Sequence, residues 1–151
     1  VSFGLLEVLL MTGLEMLFVR LLGRVQGYTE AFPAGQFGYL ALCTLVVNVM
    51  LFLSEWLLML RFENPLPAIC IGIVGALVGL FSAFMPAIVS YFVPWGYYVP
   101  LSSYEVRVWE KETHTVLYGT RAQNWSLLVV AVLLAAVCFA AAWRVMKQKE
   151  V

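Results

Sequence analysis

The chain has 151 residues, 63% of them hydrophobic and 12% charged, with zero formal net charge and a mean hydropathy of +0.91. Soluble domains carry about 25% charged residues, so the composition speaks against a water-soluble globular class, and a neutral chain offers a nucleic-acid partner no electrostatic support. The length suits one domain-sized unit. Val1 stands inside an apolar run without an initiator Met or a basic, cleavable leader, so the sequence reads as the C-terminal part of a longer membrane protein.

Four apolar segments are long enough to cross about 30 Å of hydrocarbon, which takes about 20 helical residues. They run from about Phe3 to Leu22, Phe37 to Leu60, Leu66 to Met85 and Trp125 to Met146. The expected fold class is therefore all-α: a polytopic helical membrane protein with four transmembrane helices plus a short re-entrant or interfacial outer hairpin. Glu7, Glu15 and Arg20 interrupt the first segment. Glu7 and Glu15 stand about 80° apart on a helix, so a shared polar side, with Asn48 in the second segment, is a candidate polar pathway. Its rival is an interfacial helix. Charge inside a membrane is costly enough to give either carboxylate a functional prior. Gly23, Gly27, Pro33 and Gly35 mark a loop before the second segment. Glu55 lies one turn from that segment's end, within reach of Arg61.

Arg61 to Pro65 form a short polar hinge, which makes the second and third segments an antiparallel hairpin. Pro65 and Pro67 suit the first turn of a helix, where a missing N–H costs little. Along the third segment Ala68, Gly72, Gly75, Gly79, Ser82, Ala83 and Pro86 share one face. Three glycines in a soluble helix would cost about 1 kcal/mol each, whereas in lipid a small face admits a close neighbour, and Gly75-x-x-x-Gly79 has that spacing. Gly72, Gly75 and Gly79 are the expected helix-packing residues.

The connection 86–124 has two parts. Pro86 to Pro100 is apolar and aromatic, and with Pro86, Pro94, Trp95, Gly96 and Pro100 it reads as the outer hairpin; non-helical backbone there needs protein to shield it. Leu101 to Asn124 is polar and mixed in charge. Basic residues on the two sides balance: Arg61, Arg144, Lys147 and Lys149 on one, Arg20, Arg24, Arg107, Lys111 and Arg121 on the other. The C-terminus is placed in the cytoplasm because its cations are concentrated beside the membrane.

No catalytic or metal motif is visible. His114 is the single histidine, and Cys43, Cys70 and Cys138 lie in different segments without CxxC spacing. No P-loop is present, so ATP is not bound by such a motif in this chain. An enzyme, a cofactor and a metal are not expected.

The stretches FENPLPAICIGIVGALVGLFSAFMP and VPWGYYVPLSS, with a last segment ending WRVMKQKE, resemble the C-terminal portion of ABC-2-type transporter permeases, in particular the permease subunits of lantibiotic-protection (immunity) ABC transporters. The resemblance covers about residues 36 to 148. It implies that 1–151 is the C-terminal part of one permease transmembrane domain, with spans three to six of six and a cytoplasmic C-terminus in the plasma membrane. It further implies cytoplasmic ATPase subunits, a second permease subunit, the lipid bilayer and an exported antimicrobial peptide as partners. Another ABC-2 exporter of a drug, ion or polymer, or a non-transporting scaffold or sensor subunit, stands as the alternative.

Overall fold

The computed structural model describes residues 2–25, 34–82, 84–85, 87–110 and 115–149, giving the backbone alone for residues 34, 87, 90, 104–110 and 115–118. Pro86, Ala83, His114, Lys111 and the centre of the loop around Gly27 and Pro33 lie outside the described residues. The chain is predominantly helical, as its apolar segments dictate: α1 (Ser2–Val25), α2 (Ala34–Arg61), α3 (Leu66–Ser82), α4 (Ala87–Phe92), a 3₁₀ turn (Pro94–Gly96), α5 (Tyr98–Leu101) and α6 (Trp125–Lys149). Of these, α2 and α6 are long and apolar enough to cross a membrane.

The third expected segment is a shorter helix than its apolar text. It stops at Ser82, whose hydroxyl donates to the Gly79 carbonyl at 2.6 Å. The chain then tightens into turns, with Phe84 N–H on Phe81 O and Met85 N–H on Ser82 O. At 17 residues α3 is about 25 Å long. Its start follows the expected hinge, where the Asn64 side chain accepts from the Leu66 N–H at 3.0 Å.

The central element is α2, which packs against α1, α3, α5 and α6. Tyr39, Cys43, Val47 and Met50 form a stripe at helical spacing, buried against Leu127, Leu128 and Ala131 of α6 together with Tyr97 and Leu101. Val47, Ala131 and Ala142 have no exposed surface, and the two alanines let α6 lie close to its neighbour. Both ends of this pair are tied. Lys149 Nζ donates to the Leu60 carbonyl at 2.6 Å, satisfying a helix-terminal acceptor. At the other end the Tyr39 hydroxyl accepts from the Asn124 N–H at 2.9 Å, and its ring meets Trp125 edge-on at 5.1 Å.

Residues after Leu101 contain structure that their polar text conceals. β1 (Tyr104–Glu110) and β2 (Thr115–Thr120) form an antiparallel hairpin, with Arg107 as the extra residue of a bulge between Val106 and Val108. The Arg121 N–H closes its base on Ser103 O at 2.8 Å. These are the only strands among the described residues.

Asn124 joins three elements. Its Oδ1 caps α6 by accepting from the Leu127 N–H at 3.2 Å and the Ser126 hydroxyl at 2.8 Å, and its Nδ2 donates to Tyr91 of α4 at 2.8 Å. Asn124→Ala is therefore expected to lower stability by about 1 kcal/mol or more, the usual cost of a lost cap. Asn124→Asp should retain the cap and recover most of that loss. Thermal unfolding of both variants in the same detergent or lipid checks it, and equal losses would place the weight on the Tyr91 contact instead.

Candidate functional site

The small face of α3 receives the 3₁₀ turn. Ala68, Gly75, Gly79 and Ser82 are the buried residues of that helix, while Ile73, Val74, Leu77, Leu80 and Phe81 are exposed. A Cβ built on Gly75 would enter the Trp95 indole, and one on Gly79 would stand 2.6 Å from the Trp95 carbonyl oxygen. From the other side, a Cβ on Gly96 would collide with the Ser82 hydroxyl. Gly79 thus lets the turn's main chain lie directly on α3, Gly75 makes room for the indole and Gly96 for the Ser82 hydroxyl, and the partner is this turn rather than the backbone of a neighbouring long helix. Gly72 serves a different contact: a Cβ there would lie 2.6 Å from Oε1 of Glu55 on α2. That oxygen is buried and has no hydrogen-bond partner.

The turn is built as its sequence requires. Pro94 opens it, where no donor is needed, and Gly96 N–H and Tyr97 N–H close it on Val93 O and Pro94 O at 2.8 and 3.3 Å. Buried Pro100 and Leu101 then anchor α5. Between α3 and this segment runs an open apolar groove of about 460 Å³, bordered by Cys70, Val74, Val78, Phe92 and Trp95.

A polar node lies beside the turn. Asn48 Nδ2 donates to Thr12 Oγ1 at 2.8 Å and, at 3.5 Å, to Glu15 Oε2. The Tyr98 hydroxyl donates to Asn48 Oδ1. Three elements, α1, α2 and α5, are thereby joined through one amide. Of the candidate polar pathway, Glu15 and Asn48 come together, whereas Glu7 remains exposed and apart. Helix periodicity accounts for it: from Thr12, which faces α2, Glu15 is rotated by about 60° and Glu7 by about 140°. Thr12 and Tyr98 escaped sequence reasoning because neither has a partner near it in the chain. Both contacts fall at mid-helix: Asn48 at the centre of the 28-residue α2, Gly75 near the centre of α3.

Among the described residues, no three His, Cys, Asp or Glu side chains converge on a point where a metal ion could sit. Cys43, Cys70 and Cys138 are free thiols. Comparison with protein-family models, curated proteins and solved structures finds no match to this chain.

The two glycine contacts differ in kind, which makes them separable. Gly75→Ala meets a side chain, and Gly79→Ala meets main chain. Trp95→Ala should therefore rescue Gly75→Ala, with a coupling of about 1 kcal/mol or more, and leave Gly79→Ala as damaging as before. Unfolding midpoints of the four variants test the pairing, and additive effects at both glycines would contradict it.

Proposed function

We propose that this chain is the membrane-embedded part of a permease subunit of an ABC-2-type transporter, which exports an antimicrobial peptide of the lantibiotic type and so protects the producing cell. The observation that carries the reading is the reach of two side chains from this segment, Trp95 to Gly75 and Tyr98 to Asn48, to the mid-depth of α3 and α2. This supports reading 87–101 as a re-entrant segment, since non-helical backbone in lipid has to be shielded by protein. The resemblance of its text to the outer hairpin of such permeases agrees with this placement.

Solvent exposure supports a membrane setting. α3 buries its small residues and turns Ile, Leu, Val and Phe outward, the reverse of a helix folded in water and the arrangement that lipid rewards. On α6, exposed Trp125 and Trp143 are 18 residues apart, about 27 Å along the axis, which sets them near the two interfaces of a bilayer. In this reading α1 and α3 cross together with α2 and α6. The hairpin β1–β2 then stands outside the cell, and Lys147 and Lys149 lie in the cytoplasm. ATP hydrolysis comes from separate cytoplasmic ATPase subunits, and a second permease subunit completes the pathway.

The rival is a scaffold or sensor whose helices anchor the connection from Leu101 to Asn124. Single cysteines at Gln123 and Gln148, in a chain with Cys43, Cys70 and Cys138 replaced, test the topology with an impermeant maleimide. Gln123→Cys should label on intact cells and Gln148→Cys only after permeabilisation; labelling of both from one side sinks the arrangement. For function, cells carrying the whole transporter should lose survival against the peptide when Gly79→Leu is present at normal membrane abundance. Full protection by that variant would remove the turn from the mechanism.

A further inference from the structure

Glu15 is an anomaly in the membrane reading. It lies near the middle of the 24-residue α1, its side chain is exposed, and its one hydrogen bond among the described residues is the long 3.5 Å contact from Asn48. A carboxylate has about four acceptor positions, and at mid-bilayer depth an unpaired one is expensive. Beside it a shallow surface groove of about 320 Å³ runs along the open face of α1 alone, lined otherwise by Leu14, Leu17, Phe18 and Leu21. Those four positions follow the i, i+3, i+4, i+7 pattern of a helix-docking face.

The charge needs a cation, and the described helices supply none at this depth. Arg20 is the nearest along α1, about 7 Å further along the axis, and its guanidinium lies over the Phe37 ring at 5.9 Å. Arg24, Arg61, Arg144, Lys147 and Lys149 all stand near helix ends. A second copy in the same orientation would therefore bring apolar surface to Glu15 and no counter-charge.

We propose that Glu15 and this groove form a docking site for a cationic amphipathic peptide lying in the membrane. An ammonium or guanidinium of the peptide pairs with the Glu15 carboxylate, and its apolar side chains lie along Leu14, Leu17, Phe18 and Leu21. The Asn48 amide holds Glu15 towards the α1–α2 seam, and Thr12 and Tyr98 hold the amide in turn. The assignment rests on the transporter reading above, since it names where the exported peptide is first held.

The test uses the full-length chain in phosphatidylcholine nanodiscs, with no ATPase and no nucleotide, and a fluorescent Leu/Lys amphipathic helix as the probe. Glu15→Gln should weaken its binding about tenfold, Glu15→Asp less, and Phe18→Ala should weaken it with the charge intact. Glu63→Gln, on the exposed hinge, should leave it unchanged. A Leu/Gln helix should bind the wild type as weakly as the Leu/Lys helix binds Glu15→Gln. Unfolding midpoints within error of wild type establish that the variants fold. Equal binding by wild type and Glu15→Gln overturns the proposal, as does a Glu15→Gln effect confined to dimerisation of the chain. Intact binding without export in cells would refute the transporter reading and leave the site standing. Export unaffected by Glu15→Gln, with unchanged binding, would do the reverse.

Discussion

The seating of the 3₁₀ turn on the glycine face of α3 holds the rest in place. If the helices stand in lipid, as proposed above, there is no hydrophobic gain between them, because the surroundings are as apolar as the side chains; close atomic contact then has to do the holding. α3 offers little of that by its large residues, which face away from the protein. What remains is a shallow channel of Gly75, Gly79 and Ser82, filled by the indole and main chain of Trp95 and closed by Gly96. Through the same turn the fold reaches its interior, because Tyr97, Pro100 and Leu101 continue from it into the seam between α2 and α6.

Polar side chains are few, and asparagine stands at the joints. Asn64 sets the start of α3, Asn124 the start of α6, and Asn48 the meeting of α1, α2 and α5. An amide carries both donors and acceptors without a charge, so it can bind several elements at once where a carboxylate or amine would be too costly. Glu55 shows the contrast. It faces Gly72 with a buried oxygen that nothing satisfies, and its neighbour has been reduced to a hydrogen atom to give it room.

Much of this was legible in the residues. Runs of apolar side chains give the helices directly, and the Asn-Pro hinge gives their antiparallel turn. Gly75-x-x-x-Gly79 announces a close approach, though spacing alone cannot say what approaches. The glycine pattern suits a helix backbone and a turn with an indole equally well. Asn48 and Glu15 stand out because polarity is conspicuous in apolar text, while Tyr98 and Thr12 are ordinary residues there; only the fold brings them together. The β1–β2 hairpin was hidden for another reason. Its period-2 alternation, as in Glu105-Val106-Arg107-Val108, is short and its polar positions are charged, so polarity outweighed pattern. The early end of α3, where the Ser82 hydroxyl folds back on Gly79, likewise leaves no mark in the composition.

One consequence concerns the making of the chain. α3 presents its glycine channel to a segment that is synthesised after it, so when α2 and α3 leave the ribosome their shared surface is incomplete. The glycine channel then stays unfilled until Trp95 has emerged. α6, which Asn124 ties to α4, follows later still. The contacts of α2 and α3 are thus completed from the C-terminal side, and both helices must wait for α6.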